Sequence, residues 1–335
     1  MFKRFETEDF VISTDSISAT LWSGGSPTLT TFFSSSTQEA GSSGNFYLNI
    51  YQTSSTDTSA AIQFAIAYGN SNGSGSNYYN TAVTGKSPTR TIWGQYQNLV
   101  LGDENSYFNF GGVTASDFWA ISMDRTRYKE KLFLGSLQLK LSGSTGVLSL
   151  TDNSQIVSSI SFNEAGRVFQ IVSGSQGTVY TGSNANGYSI SNGSYGLLLP
   201  DIGVILLNPL ALSESISLIP SASSGTNGLN NQKLYKAISG SSAATFKLNS
   251  EETITSDYVF VRAKNSEFNY SENPSFISGS TGEVLYDLFV DNPQTYITTV
   301  GLYNDLNELL AVAKVSRPLP KNFTKEALLR IKLDF

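Results

Sequence analysis

Apolar and polar residues alternate along most of the chain, which is the pattern of half-buried β-strands. The alternation is clearest at residues 137–141, where a Gly- and Ser-containing turn leads into a second run at 147–150. Two alternating runs joined by such a turn predict a β-hairpin. Further segments of the same period lie at 156–162, 167–172 and 179–190.

Strand patterns also occur on both sides of this region. Near the front, residues 46–51 and 62–68 are strand-like, and a long polar stretch that includes 70–80 separates them from Trp93. We expect residues 89–93 to favour strand as well, because they are rich in β-branched and aromatic side chains. Beyond residue 245, strands are predicted at 258–263, 283–290, 296–303 and 309–315.

The carboxyl-terminal part carries two sharper signals. The cluster Asn304-Asp-Leu-Asn307 is of the type found in turns and predicts a hairpin that joins 295–303 to 308–316. At the end of the chain Ala327, Leu329, Ile331, Leu333 and Phe335 share one face of a strand, while charged residues occupy the other. A strand this regular is expected to pair within a sheet.

Two segments have helical character. Residues 123–133 hold six charges among good helix formers, which predicts a short helix, with a charged strand as the alternative. Residues 230–238 place Leu234 and Ile238 four apart on one face, with Gly240 beyond as a stop. The chain is therefore predicted to be mainly β, with antiparallel β-sandwich or meander domains and one or two short helices.

The pattern divides the chain into three segments. We predict an N-terminal β-rich domain with long polar loops at 1–134, an antiparallel meander or sandwich at 135–225, and a C-terminal β domain at 226–335 that contains the helix at 230–238. The chain shows no fixed repeat and no heptad pattern, so solenoids and coiled-coil fibres are disfavoured.

Composition narrows the possible chemistry. The 335 residues include no Cys and no His, which excludes disulfides, thiolate nucleophiles, Cys/His zinc sites and His-dependent triads. The formal net charge of −6 argues against attraction to nucleic acid or to an anionic membrane surface. No apolar run is long enough to span a membrane, and the acidic residues at 6–9 interrupt any secretion signal. We expect no enzyme activity, cofactor or metal.

Three near-motifs have plainer explanations. The segment NTAVTGKS at 80–87 lacks the first glycine of a phosphate-binding loop, and a strand rather than a helix is expected to follow it. The segment GNSNGSG at 69–75 indicates a surface loop, since no βαβ unit surrounds it. Adjacent carboxylates such as Asp103 and Glu104 would point to opposite faces of a strand, and no calcium-loop pattern occurs.

Two groups of residues are candidate assembly contacts. Tyr78 and Tyr79 lie in polar, glycine-rich surroundings, where aromatic side chains serve protein interfaces or sugar binding. A basic segment is interleaved with acidic residues, which favours a salt-bridged interface or a solvated face over nucleic-acid binding. Its members are Arg125, Arg127, Lys129 and Lys131.

Several stretches are similar to virion structural proteins of contractile-tailed bacteriophages, especially of cyanophage-type myoviruses. In the carboxyl-terminal part these are FNYSENPSF at 268–276, NPQTYITTVGLYN at 292–304, ELLAVAKVSRP at 308–318 and FTKEALLRIKLDF at 323–335. Nearer the front they are TLWS at 20–23, TTFFSSSTQ at 30–38, RTIWGQYQ at 90–97 and RYKEKL at 127–132.

The resemblance implies a structural component of a contractile tail, with the baseplate wedge as its suggested place. It implies no catalytic residues, other tail and baseplate proteins as partners, a homo-oligomer, and a virion assembled in the host cytoplasm. A receptor- or glycan-binding tail-fibre protein and a head decoration protein stay open as alternatives, and a polysaccharide-cleaving enzyme that uses paired carboxylates stays open as a third.

Overall fold

The computed structural model describes residues 3–34, 47–75, 87–182, 184–222, 229–240 and 244–334. It is mainly β, with 43% strand and 14% helix, and its sheets are antiparallel, so the predicted fold class is confirmed. The chain forms two compact units. Ile17–Glu252 is called the large unit here, and Met1–Ser16 together with Thr253–Phe335 is called the terminal unit.

The large unit is built on one extended antiparallel sheet with helices on both faces. The strands of the large unit are β2 (Thr28–Leu29), β3 (Phe33–Ser34), β4 (Tyr47–Tyr51), β5 (Ile62–Asn70), β6 (Phe108–Phe110), β7 (Val113–Ala115), β8 (Asp117–Met123), β9 (Lys131–Leu132), β10 (Gln138–Ser142), β11 (Val147–Asp152), β12 (Ser161–Asn163), β13 (Gly166–Ser175), β14 (Thr178–Val179), β15 (Gly196–Leu199), β16 (Val204–Leu207) and β17 (Phe246–Lys247), of which β6 and β7 form a small sheet of their own and β9 pairs outside the extended sheet. Its helices are α1 (Pro88–Leu101), α2 (Pro209–Ile216) and α3 (Leu229–Ser239).

The order of strands in this sheet is β2-β17-β10-β11-β13-β15-β16-β8-β5-β4-β3, with β12 and β14 paired to β13. The predicted hairpin in the middle of the chain is confirmed as β10 and β11, in which Leu139 pairs with Leu150. All residues of β15 and β16 are buried, as expected for central strands that are covered on both faces.

The alternation within β8 shows how the two faces are filled. Trp119 and Ile121 belong to the cluster that also contains Leu234 and Ile238 of α3. Phe118 belongs to the cluster on the other face, where its ring stacks on Trp93 of α1 with 5.4 Å between the ring centroids. Successive side chains of one strand therefore anchor helices on opposite faces.

Helix α1 occupies a segment for which we predicted strand, so that prediction is wrong. Ser87 caps the helix by accepting a hydrogen bond from the Arg90 N–H, Pro88 stands in the first turn, and Gly102 ends it in the left-handed conformation. The apolar side chains that α1 buries outweigh the strand preference of single residues. A helix thus follows the near-match to a phosphate loop, of which residues 80–86 lie outside the described residues.

The terminal unit contains a second, smaller antiparallel arrangement. Its elements are β1 (Phe10–Thr20) and β18 (Asn249–Ala263), which both continue into the large unit, α4 (Leu288–Asp291), β19 (Thr295–Tyr303), β20 (Leu309–Lys321) and β21 (Ala327–Asp334). β18 lies between β1 and β21 in one sheet, and β19 and β20 form a separate hairpin. The predicted carboxyl-terminal strand and the hairpin around 304–307 are both confirmed.

The two layers of the terminal unit pack through the inward faces of these strands. Val259 of β18 and Ile331 of β21 form one apolar cluster with Leu302 of the hairpin. Ala263, Ala327 and Leu329 form a neighbouring cluster, against which partly buried side chains of the hairpin pack.

The division into consecutive segments 1–134, 135–225 and 226–335 does not describe these units. β10, β11, β13 and β15 come from the middle segment, yet they lie in one sheet with β5 and β8 from the first segment and β17 from the last. A boundary at 135 or 225 would cut through this continuous ladder of backbone hydrogen bonds. The predicted helix at 230–238 is confirmed as α3, with the Gly240 N–H bonded to the Lys236 carbonyl.

The prediction of a helix at 123–133 is wrong. Only Arg125–Arg127 forms a single 3₁₀ turn, which begins with the Asp124 carboxylate accepting from the Thr126 N–H. The two ends of the segment belong to strands, since β8 ends at Met123 and β9 covers Lys131–Leu132, and sheet pairing there satisfies backbone groups that a short helix would leave unpaired at its ends.

Three predicted strands are also shorter than expected or absent. Among the described residues, β12 (Ser161–Asn163) covers only the last two residues of the predicted strand 156–162, and β14 (Thr178–Val179) covers only the first residue of the predicted strand 179–190. Within 283–290, Val284 forms an isolated β-bridge with Ile277, and α4 begins at Leu288.

Candidate assembly surface

The terminal unit has a thin apolar core. Among the described residues only six apolar side chains of this unit are buried, whereas the large unit buries forty-nine. Because burial of apolar surface is the main stabilising term in folding, the terminal unit is stabilised far less by its own interior. The six are Val259, Ala263, Leu302, Ala327, Leu329 and Ile331.

Many large apolar side chains of the same unit face solvent instead. They include Phe10, Val11, Ile12, Tyr270, Leu285, Tyr286, Val290, Tyr296, Tyr303, Leu306, Leu309, Leu310, Val312, Phe323 and Leu328. Single exposed apolar residues are ordinary, but contiguous groups of them mark interaction surfaces. Two such groups are contiguous along the chain.

The first group is the hairpin-end patch, which we define as Tyr303, Leu306, Leu309, Leu310 and Val312. Leu306 at the turn is 77% exposed, and Leu310 is 68% exposed. Tyr303 pairs with Leu309 and Leu302 pairs with Ala311, so Leu310 is the extra residue of a β-bulge. A bulge redirects the side chains beside it, and here two consecutive leucines are exposed.

The turn that carries Leu306 is held by its own hydrogen bonds. The Asn304 side-chain oxygen accepts from the Leu306 N–H at 3.0 Å and from the Glu308 N–H at 2.8 Å. The Asn304 amide group also donates to the Glu308 carboxylate at 2.7 Å. The exposed leucine is therefore presented on an ordered turn, which lowers the entropy lost when a partner binds.

The second group lies on β1, at one edge of its sheet. Ten of the eleven residues of β1 are exposed, and Phe10, Val11 and Ile12 are consecutive. In the order β1-β18-β21 the strand has a partner on one side only. A long edge strand with apolar side chains is a template for pairing with another chain. Natural monomers usually prevent such pairing by placing charges or prolines on the edge strand.

A cleft of about 1150 Å³ lies within the terminal unit. It is bordered by the N-terminal residues before and at the start of β1, by β18, by β19 and by the hairpin turn. Of the residues that the structure describes, six aromatic side chains line it together with Arg4, Arg262, Asp305 and Asn307. These aromatic residues are Phe5, Phe10, Phe260, Phe268, Tyr296 and Tyr303.

Charge at one end of the cleft is organised around Lys3. Its ammonium lies 3.3 Å from the Glu267 carboxylate and also donates to the Arg262 carbonyl. The hydrogen bond from the Lys264 N–H, with the charge of Lys3, holds the pKa of Glu267 below its usual value. Glu267 is therefore ionised at neutral pH and ties the N-terminal segment to the end of β18.

The four basic residues predicted as contacts lie in the large unit and are not part of this surface. Tyr78 and Tyr79 lie outside the described residues. Arg125 donates to the Tyr128 carbonyl at 2.6 Å and lies over the Tyr128 ring, and Arg127 donates to the Thr126 hydroxyl.

The two lysines of the predicted basic segment are paired within the large unit. Lys129 binds the Glu252 carboxylate, and Lys131 lies 3.7 Å from Glu251 and 3.8 Å from Glu130. Arg125 and Lys129 remain exposed, so their role in contacts stays a prediction.

Sequence reasoning missed the hairpin-end patch and the edge of β1. The turn signal at 304–307 includes Leu306 but does not indicate that its side chain is exposed. Two signals were available: the adjacent leucines 309 and 310 break the alternation of β20, and residues 10–12 are consecutive apolar residues in a strand.

The described part of the chain contains no group of three or more Asp or Glu side chains placed to hold a metal ion. Within the same residues, no helix has the length and apolar character needed to cross a membrane. Comparison with known proteins finds no match to this chain among protein-family models, among curated proteins or among solved structures.

Proposed function

We propose that this chain is a structural protein of a bacteriophage contractile tail, placed in the baseplate as a wedge component and assembled in the host cytoplasm. The observation that carries the proposal is the terminal unit, whose described residues bury six apolar side chains and expose many more. Such a unit gains most of its apolar burial from partners, which is expected of a protein whose role is to form protein–protein interfaces. The resemblance of several sequence stretches to virion structural proteins of contractile-tailed bacteriophages supports the choice of this type of particle.

Assembly would use the two apolar groups in different ways. The hairpin-end patch supplies compact anchors, of which Leu306 and Leu310 are the most exposed. The edge of β1 supplies backbone groups that can extend a sheet across a subunit boundary, and this pairing fixes register. The partners are other tail and baseplate proteins and further copies of this chain.

The test is the position of the protein in purified particles. We expect it in tail-containing fractions of disrupted virions, and we expect an electron-microscopy map to place the hairpin-end patch against a neighbouring chain. Detection only in the soluble lysate, with particles that lack the protein, would overturn the proposal.

The cleft favours a second candidate, a receptor- or glycan-binding tail-fibre protein. Tyr296, Asn304 and Asn307 line it, and aromatic rings beside amide groups are the chemistry that binds sugars. Under this alternative, Tyr296→Ala abolishes binding to a host envelope polysaccharide, whereas the equally exposed Tyr286→Ala, outside the cleft, leaves it unchanged. Absence of binding by the unmodified chain removes the candidate.

A further inference from the structure

Lys321, the last residue of β20, is a fully buried lysine with a relative exposure of 0%. Its ammonium nitrogen donates to the Asn265 carbonyl at 3.1 Å and to the side-chain oxygen of Asn269 at 2.6 Å. Among the described residues, no carboxylate forms an ion pair with it. Burial of an ammonium without a paired carboxylate costs free energy, which shifts the equilibrium of the lysine towards the neutral amine.

The amide of Asn269 is held on both sides. Its oxygen accepts from Lys321, while its nitrogen donates to the Asn265 carbonyl at 2.7 Å. The same carbonyl accepts from Lys321, so the three groups form a closed set of hydrogen bonds. The amine nitrogen is therefore fixed beside the carbonyl group of the Asn269 side chain.

The backbone next to Asn269 is strained. Phe268 has a φ of 57°, which is rare for a bulky side chain and disfavoured without compensating contacts. Its ring packs against the apolar cluster that contains Ala263 and Leu329. Packing of Phe268 thus holds the chain in the conformation that directs Asn269 towards Lys321.

We propose that Lys321 and Asn269 become joined by an intramolecular isopeptide bond. The Lys321 amine attacks the side-chain carbonyl carbon of Asn269, a new C–N bond forms, and the bond from that carbon to the amide nitrogen breaks. The ammonium of Lys321 first releases one proton to solvent, a second passes from the attacking nitrogen to the leaving nitrogen, and ammonia departs. The step needs no oxidant, reductant or cofactor.

The environment supplies what the attack requires. Lysine is a nucleophile only as the neutral amine, and desolvation promotes that form. Burial lowers the pKa of Lys321, and the negative charge of Glu267 opposes this only in part. The apolar surroundings of Phe268 also limit access of water to the intermediate.

The mass of the purified, denatured full-length chain tests the proposal. We expect the wild-type chain to be lighter than its sequence mass by one ammonia. Lys321→Met and Asn269→Ala should restore the full mass expected for each variant. The matched controls Lys314→Met and Asn273→Ala change an exposed lysine and an exposed asparagine, and both should retain the loss.

Peptide mapping locates the bond. The expected result is one branched peptide that joins the segment containing Asn269 to the segment containing Lys321. A wild-type chain of full sequence mass overturns the proposal, since the hydrogen bonds would then only tether the loop. Loss of ammonia confined to one linear peptide also overturns it, because that result indicates a cyclic imide at a single asparagine.

Discussion

Replacing Leu306 and Leu310 by alanine tests whether the hairpin-end patch is an assembly surface. Both side chains are largely exposed, at 77% and 68%, so truncation should leave the folded chain intact. Full burial of a leucine is worth about 1.5–3 kcal/mol. Most of that area is available to a partner here, and each substitution should weaken association by roughly 1–1.5 kcal/mol, or about five- to tenfold in Kd. The double variant should lose roughly 30- to 100-fold.

Sedimentation velocity over a concentration series measures the effect. The wild-type chain should form a discrete oligomer, and the double variant should shift to monomer at concentrations where the wild type is associated. Ile190→Ala is the matched control, since Ile190 is 78% exposed but lies in the large unit. This control should sediment like the wild type, and all three proteins should show the same thermal unfolding at concentrations where all of them are monomeric.

Two results would refute the reasoning. The first is a wild-type chain that stays monomeric at every concentration at which it is soluble. The second is a double variant that associates as tightly as the wild type, because the exposed leucines would then contribute nothing to the contact.

Three further predictions concern stability. Burial alone would raise the pKa of Asp201. The hydrogen bonds and the charge of Arg167 outweigh this effect and hold the pKa below that of an unfolded aspartate. The folded state therefore gains stability above about pH 4 and loses it as the pH falls through the folded pKa. Asp201→Asn should lower the free energy of unfolding in urea by roughly 1–2 kcal/mol at pH 7 and flatten this acid dependence; an unchanged pH profile would contradict the assignment. Ser87→Ala removes the cap of α1 and should cost about 1 kcal/mol in the same assay, whereas no loss would mean that the cap is redundant. Calorimetry of the isolated chain should show the terminal unit unfolding at a lower temperature than the large unit, and one cooperative transition would argue against separate units.

The parts of the fold that were predictable depend on local chemistry. Asn304 accepts hydrogen bonds from backbone groups two and four residues ahead, so its turn is encoded within five residues. α3 likewise carries its own apolar spacing and its own stop at Gly240. Such features form in nearly any tertiary context, which is why the sequence pattern was sufficient for them.

Helix α1 shows where local preference fails. Ile92, Trp93, Tyr96 and Val100 lie at helical spacing, but their β-branched and aromatic side chains favour strand when taken one by one. The helix is stabilised by burial against Phe118 and Ala120, which are distant in the sequence. Long-range packing therefore decides the structure of this segment.

The candidate surface depends even more on long-range order. Phe10, Val11 and Ile12 are exposed because neither face of β1 is fully covered, and alternation cannot reveal which strand lies at an edge or which face stays uncovered. Leu310 is exposed because one extra residue enters β20 opposite β19. The pairing of Lys129 with Glu252 similarly joins residues 123 positions apart, so the sequence showed the charges but not their partners.

The thin core of the terminal unit leaves two independent sources of stability, one within the chain and one between chains. A covalent bond between Asn269 and Lys321 spans 52 residues, and a cross-link of that span stabilises by about 4 kcal/mol in the chain-entropy model. Contacts at Leu306 and Leu310 act only when a partner is present. Lys321→Met should therefore lower the unfolding temperature of the terminal unit in the monomer and leave the affinity between folded chains unchanged, while Leu306→Ala should do the reverse. Calorimetry and sedimentation on the same two variants separate these effects. A single variant that lowers both the unfolding temperature of the monomer and the affinity between chains would show that core and contact surface are one cooperative structure.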